Sequence, residues 1–151
     1  MRLFLDTNII LEFIDHRDEY ESVHRILADI RDGRHEGFIS QGCVYTLTFL
    51  IERSLKAKGI HKPEQTLQLR RLLTSVITIF EPTGISRKDM LRAVGNEAFT
   101  DIEDSFQYQC AVENRCDILI TINIDDFRDA DQRRMRILTP TQFVEKYMKA
   151  F

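Results

Sequence analysis

The stretch RLFLDTNIIL, residues 2–11, decides the fold because it contains a strand, a helix and the polar joint between them. Residues 2–5 are typical of a buried strand, and residues 9–11 are typical of the inner face of a helix. Three polar residues separate these apolar segments, namely Asp6, Thr7 and Asn8. An aspartate at this joint either caps the helix or stands at the carboxyl end of a strand, where open α/β sheets place their sites.

The rest of the chain repeats this alternation of strands and helices. Four further strands are predicted, at residues 37–40, 76–80, 117–121 and 136–138. Helices are predicted between them and after the last one, at residues 44–58, 63–73, 86–98, 102–114 and 139–148. The apolar run DILIT, residues 117–121, is typical of a central parallel strand. The pattern therefore predicts a three-layer α/β/α sandwich, and residues 1–151 are long enough for one such domain.

The composition excludes several classes of protein. Hydrophobic residues make up 43% of the chain and charged residues 30%, which indicates a globular protein. The formal net charge of −3 argues against a general nucleic-acid binder with a basic surface. No apolar run approaches the ~18 residues of a membrane span, and no signal peptide is recognised, so we expect a cytoplasmic protein without membrane contact. The 3 cysteines include no Cys-x-x-Cys pair and are predicted to be free thiols.

Acidic residues recur where predicted strands end and helices begin. They are Asp6 after the first strand, Asp101, Glu103 and Asp104 at a helix start, and Asp126 after the strand DILIT. These positions converge on one edge of a doubly wound sheet, and the i, i+3 spacing of Asp101 and Asp104 lets both point the same way. Carboxylates gathered there repel one another unless a cation binds, and such hard oxygen ligands suit Mg²⁺ or Mn²⁺. An ion of this kind can activate water and stabilise charge on a phosphate.

Each group of acids also has a simpler explanation. Acids in the first turn of a helix complement the helix macrodipole, which would account for Asp101 or Glu103 alone. The pattern Thr121-x-Asn123-x-x-Asp126 is equally compatible with a turn. Four acidic or polar placements at predicted strand ends are harder to explain separately, and together they favour a site.

Four segments resemble the PIN domain family. They are FLDTNIIL, DIEDSFQYQCAVENRCDILITIN, the following DDF and the closing ILTPTQF, and they cover essentially the whole chain in order. The resemblance implies a five-stranded parallel sheet of order 3-2-1-4-5 and a metal-dependent ribonuclease site lined by acids. Many members are toxins of bacterial type II toxin–antitoxin pairs, so it also implies an RNA substrate, a small antitoxin partner and a homodimer.

The resemblance assigns roles to individual residues. It implies that Asp6, Asp104 and Asp126 bind the metal ion and act in catalysis, and that Asp101 is an auxiliary catalytic acid. The supporting residues that would orient these carboxylates are Thr7, Asn8, Thr121 and Asn123.

One position departs from the family pattern. Thr46 stands where members commonly carry an acid, so its hydroxyl would offer only a supporting contact. Glu52 lies six residues further along the same predicted helix, about 9 Å away along its axis, and does not substitute simply.

Two functions remain open on the sequence. The leading one is a Mg²⁺- or Mn²⁺-dependent endoribonuclease, and the alternative is a catalytically weakened PIN-like domain that binds RNA or a protein partner, which Thr46 favours. A receiver of phosphoryl groups is least favoured, because it needs a lysine after a late strand and RILTP, residues 136–140, has none beside it.

Three surface segments have alternative interpretations. The basic strip RSLKAKGIHK, residues 53–62, either grips phosphates at the rim of the site or is a solvated helix end. The segments CVYTLTFLI, residues 43–51, and FVEKYMKAF, residues 143–151, either supply dimer surface or belong to the core.

Overall fold

The computed structural model of the chain describes residues 1–148 and contains a five-stranded sheet with helices on both faces. The strands are β1 (Arg2–Leu5), β2 (Glu36–Ser40), β3 (Glu81–Thr83), β4 (Ile118–Ile120) and β5 (Arg136–Leu138). All neighbouring strands are parallel, and their order is β3-β2-β1-β4-β5. The expected α/β/α architecture and strand order are therefore confirmed.

The helices connect successive strands. They are α1 (Thr7–Ile14), α2 (Tyr20–Arg31), α3 (Gln41–Ala57), α4 (Glu64–Ile79), α5 (Arg87–Val94), α6 (Ile102–Glu113) and α7 (Pro140–Tyr147), with a short 3-10 helix at Ile124–Phe127. Side chains that accept backbone N–H groups begin several of them, such as Ser40 at α3 and Thr139 at α7. These caps fix where each helix leaves the carboxyl edge of the sheet.

Strand β1 lies at the centre of the sheet and divides the core in two. Leu3 and Leu5 pack into a cluster covered by α1, α2, α3, α4 and α7, whereas Phe4 packs into a second cluster against α6. All three side chains are completely buried, and each contributes about 1.5–3 kcal/mol of hydrophobic stabilisation. The residue that follows β1 is consequently held firmly between β2 and β4.

The predicted strand at residues 76–80 is wrong. Val76 to Ile79 form the last turn of α4, the N–H of Phe80 still bonds to the carbonyl of Val76 at 2.9 Å, and the strand begins only at Glu81. The β-branched residues suggested a strand, but the apolar spacing of α4 continues through Val76, which packs into the core. Helical packing against α3 therefore overrides the local strand preference.

Two expectations from composition can be compared with the structure. Cys43, Cys110 and Cys116 are free and buried, as predicted. Within residues 1–148, no helix combines the length and the apolar character needed to cross a bilayer.

Candidate metal centre

Asp6 is buried where β1 meets α1. Its side chain is only 3% exposed, and both of its oxygens have donors. Oδ1 accepts the N–H of Thr7 at 2.8 Å, and Oδ2 accepts the hydroxyl of Thr121 at 2.9 Å. Burial raises the pKa of Asp6 to about 6, although these two hydrogen bonds oppose the shift. The residue is thus both the helix cap and a strand-end acid, so the two interpretations of the joint are compatible.

Two buried threonines support Asp6. Thr121 follows β4, is completely buried, and accepts the backbone N–H of Asn123 at 3.1 Å while donating to Asp6. Thr7 is 4% exposed, and its hydroxyl accepts Nε2 of Gln107 at 3.1 Å. The structure therefore brings together residues that are 100 and 115 positions apart in the chain and fixes the orientation of one carboxylate.

Asp104 lies in the first turn of α6 with an unsatisfied oxygen. The side chain is 7% exposed, and its buried Oδ2 has no hydrogen-bond partner among residues 1–148. Burial first, and then the charges of Asp6, Asp101, Asp126 and Glu103, raise the pKa of Asp104 to about 7. The charges of four acids thus act on this one carboxylate, and their convergence into a single site stays a prediction.

Asp101 and Glu103 frame Asp104 on the exposed side of the cluster. Asp101 caps α6, since its Oδ1 accepts the N–H of Asp104 at 3.2 Å. Glu103 raises the pKa of both Asp6 and Asp104 by charge repulsion. Sequence reasoning placed Glu103 among the acids at this helix start but assigned it no individual role, although its position between two recognised acids was a usable signal.

Asp126 lies on the 3-10 helix after β4 and is exposed. Its N–H bonds to the carbonyl of Asn123 at 3.0 Å, and its negative charge contributes to the raised pKa of Asp104. The backbone N–H of Asn123 donates to the hydroxyl of Thr121, and Asn8 is half-buried in α1. The supporting roles of the Asn8 and Asn123 side chains stay predictions.

Thr46 lies in the lining of a cavity. The cavity has a volume of about 320 Å³, and its lining includes Thr46, Glu103 and Gln107. Gln107 is 4% exposed, and its carbonyl oxygen Oε1, like Oδ2 of Asp104, is buried without a partner among the described residues. Sequence reasoning missed Gln107 because no local pattern marks it.

The donor set can be tested for its fit to a hard cation. In residues 1–148, no three His, Cys, Asp or Glu side chains lie close enough together to hold an ion by themselves. Mg²⁺, however, commonly binds through one or two carboxylates and completes its shell with water and substrate phosphate. The unpartnered Oδ2 of Asp104 and the raised pKa values of Asp6 and Asp104 fit such a site, because a cation would relieve both.

The basic strip at residues 53–62 lies away from these acids. Helix α3 starts beside the cluster at Ser40, and Arg53 is thirteen residues further on, about 20 Å along the helix axis. The structure does not bring this strip to the rim, and its role as a solvated helix end is the simpler one.

Fold and site together define a class of protein. The sequence model of the PIN domain family matches residues 2–125, and the chain belongs to that family. The resemblance stated from the four sequence segments is therefore confirmed.

Two known proteins are similar to this chain over nearly its whole length. The chain is 21% identical to Ribonuclease VapC1 of Aquifex aeolicus (strain VF5) over 155 aligned residues, which cover 97% of this chain and 95% of that protein. A chain in the crystal structure of VapBC2 from Rickettsia felis, bound to a DNA fragment from their promoter, is 19% identical with a TM-score of 0.62. That match covers 91% of this chain and 97% of the other, and it supports the fold.

Proposed function

We propose that this protein is a Mg²⁺- or Mn²⁺-dependent endoribonuclease and the toxin of a toxin–antitoxin pair. The observation that carries the proposal is the pair of buried acids, Asp6 and Asp104, at the carboxyl edge of the sheet. Their raised pKa values and the unpartnered Oδ2 of Asp104 are features of a site that binds a cation. The similarity to Ribonuclease VapC1 supports RNA as the substrate.

The residues of the proposed site would have different roles. Asp6, Asp104 and Asp126 would hold the ion together with water and substrate phosphate, because no three such side chains within residues 1–148 lie close enough to hold it by themselves. The ion, when bound, would supply activation of water and neutralisation of phosphate charge. Thr121 and Thr7 keep Asp6 in one orientation through the hydrogen bonds described above.

The remaining acids lie at the outer side of the cluster. Asp101 would orient water through its carboxylate, because it lies one turn before Asp104 on the exposed side. Glu103 would supply part of the negative charge that Thr46 does not provide, since it already acts on Asp6 and Asp104.

Thr46 supports a second candidate, a PIN-like domain that binds RNA or a protein partner and cleaves poorly. A neutral hydroxyl attracts a hard dication far less than a carboxylate does. We therefore expect a nuclease that prefers Mn²⁺ and needs it at high concentration, and a complete loss of cleavage would favour the binding function.

Cleavage of single-stranded RNA by the wild-type protein tests the proposal. We expect cleavage with millimolar Mn²⁺, slower cleavage with Mg²⁺ and none with chelator. Thermal unfolding in the same buffers should show a higher melting temperature with Mn²⁺, since a ligand that binds only the folded state stabilises it. Equal melting temperatures with and without Mn²⁺, together with no cleavage, would contradict the proposal.

The antitoxin is the partner expected for a toxin of this family. The structural relative was crystallised as VapBC2 on promoter DNA, which is consistent with a small DNA-binding partner here. We propose that a short reading frame beside this gene encodes such a protein and that both act in the cytoplasm, where the RNA substrate is. Co-purification of the two tagged products, with loss of cleavage in the complex, is the expected result.

We also propose that residues 1–151 belong to a single PIN-like domain, and that the exposed side of α3 forms a homodimer. Tyr45 and Phe49 are 80% and 64% exposed and lie one helical turn apart, which is unusual for large aromatic residues. Phe143 and Val144, from the second expected segment, belong to the core, and residues 149–151 lie outside the described part of the chain.

Light scattering at micromolar concentration checks the assembly. We expect twice the 17.8 kDa chain mass for the wild type and a smaller species for the double variant Tyr45→Ser, Phe49→Ser. A wild-type species of 17.8 kDa at every concentration would contradict the dimer.

A further inference from the structure

The 320 Å³ cavity beside Thr46 opens next to the acid cluster. Its base is formed where β2 and β3 end, and its sides come from the start of α3, from α5 and from α6. Gln107 connects the two places, because it lines the cavity and donates a hydrogen bond to Thr7, whose backbone N–H bonds to Asp6. A molecule held at the acids can therefore extend into the cavity.

We propose that this cavity binds one base of an RNA strand whose phosphate is held by a cation bound at the acid cluster. The inference rests on the proposed nuclease function and adds a base preference to it. The volume lies at the lower end of the range for small-molecule sites, which suits a single flat ring system better than a larger ligand.

The lining has the two kinds of contact that a base needs. The Phe106 ring and the Met90 thioether offer apolar surface to the faces of a base, as in sites that read unstacked bases of single strands. The amides of Gln41 and Gln107 lie in the lining as well and provide hydrogen-bonding groups for its edge. An aliphatic side chain from a protein partner would offer no hydrogen bond to the unpartnered carbonyl oxygen of Gln107.

Gln107 determines which base edge fits best. Its Nε2 is engaged by Thr7, while its buried Oε1 has no partner among residues 1–148. A base that enters the cavity would have to open this buried acceptor, which an amino group of adenine or cytosine would then satisfy. Uracil presents its only edge N–H between two carbonyl oxygens, which the Gln107 carbonyl and the Glu103 carboxylate repel. The cavity should therefore prefer adenine or cytosine to uracil.

Gly42 offers a way to fill the cavity without disturbing the fold. It lies in the lining, and a Cβ added to it would have no neighbour closer than Oγ of Ser40 at 4.0 Å. Leucine is also a better helix former than glycine, so Gly42→Leu should not destabilise α3. Ala57→Leu, at the exposed far end of the same helix, is the matched control.

The test measures binding of fluorescent RNA hexamers of adenine and of uracil by anisotropy, in chelator and in Ca²⁺. We expect wild type and Ala57→Leu to bind the adenine hexamer about 5-fold more tightly than the uracil hexamer, which corresponds to one hydrogen bond. The Gly42→Leu variant should bind the two hexamers equally, and it should bind the adenine hexamer about 5-fold more weakly than the wild type does. Gln107→Leu should remove the preference for the adenine hexamer.

Three results would overturn the base site. They are equal wild-type affinity for both hexamers, no binding of either hexamer, and a Gly42→Leu variant that binds like wild type. Cleavage measured in parallel separates the two proposals. Metal-dependent cleavage without a base preference would support the nuclease function and contradict the base site. A base preference that is lost in Gly42→Leu, in a protein that shows no cleavage, would support the base site and contradict the nuclease function.

Discussion

Two halves of the candidate site differ in how far the protein itself satisfies their acids. Asp6, at the end of β1, has a donor on each carboxylate oxygen and is fixed by Thr7 and Thr121. Asp104, on α6, has a buried oxygen without any partner within the described residues, and its neighbours are other acids. The first half is complete in the free protein, whereas the second is electrostatically unfavourable without a cation.

This difference indicates how such a site combines precision with affinity. The sheet edge supplies a carboxylate of fixed orientation, because it is anchored between two central strands. The helix supplies a carboxylate whose negative charge is poorly compensated, so a bound cation would be stabilised most by this carboxylate. Substitutions in the two halves should therefore have different consequences for stability and for metal response.

Asp104→Asn should have the largest effect. We expect cleavage to fall by more than about 100-fold, because loss of a supporting contact alone costs 10–100-fold and this change removes a proposed ligand. The metal-free protein should nevertheless become more stable at pH 8, since one like charge leaves the cluster. Cleavage and thermal unfolding measure the two effects, with Asp18→Asn, an exposed acid between α1 and α2, as control. Undiminished cleavage would mean that another site or a contaminant is responsible.

Thr121→Val tests the fixed half. It removes the hydroxyl donated to Asp6 at nearly constant volume, so we expect cleavage to fall about 10–100-fold and the free energy of unfolding to fall by about 1–3 kcal/mol. The control is Thr78→Val, which removes an exposed hydroxyl bonded within α4. Denaturant unfolding and cleavage assays should separate the two variants. Similar behaviour of both would show that orientation of Asp6 is unimportant.

Thr46→Glu should reduce the difference in charge between this site and the usual family pattern. An added carboxylate beside Glu103 should lower the Mn²⁺ concentration for half-maximal cleavage by about 5–10-fold and raise the rate. Thr46→Gln, of similar size but neutral, should not change the Mn²⁺ requirement. The measurement is the cleavage rate against Mn²⁺ concentration for all three proteins, and no gain in the Glu variant would favour the binding function.

The pH dependence of stability should show the smallest effect. The pKa of Asp104 is about 7 in the folded protein, against an ordinary value of 3.8, so the folded protein binds this proton more tightly than the unfolded chain does. This contribution to stability is complete below pH 3.8 and is lost as the pH rises towards 7. In chelator, the melting temperature of the wild type should fall more than that of Asp104→Asn between pH 5 and pH 8. The expected difference is about 2–4 °C for each kcal/mol lost from the free energy of unfolding. Parallel curves for both proteins would remove Asp104 from the buried cluster.

The sequence predicted the fold, and the positions of Asp6 and Asp104 within it, for identifiable reasons. The apolar runs at residues 3–5 and 118–120 are short and uninterrupted, and each leads directly into a polar residue at the sheet edge. The first-turn position of Asp104 followed from the start of α6 alone. Local patterns of this kind are sufficient wherever a site residue immediately follows a strand or begins a helix.

The failures arose where distant segments decide the structure. The last turn of α4 at Val76 was assigned to a strand because its β-branched residues were weighed without the packing of α4 against α3. Gln107 was missed because its partner Thr7 is a hundred residues away in the chain. The cavity beside Thr46 likewise depends on three helices meeting, which no single segment reveals.

The hydrogen bond between Asp6 and Thr121 also constrains when the protein can become active during its own synthesis. Its partners are separated by 115 positions, and the backbone of Thr121 is itself fixed by Leu138 of β5. A ribosome that makes 5–20 residues per second therefore releases most of the chain before both halves of the site can meet. On the proposed function, the messenger RNA being translated is the RNA nearest to the nascent chain, and it escapes cleavage until the last strand has emerged.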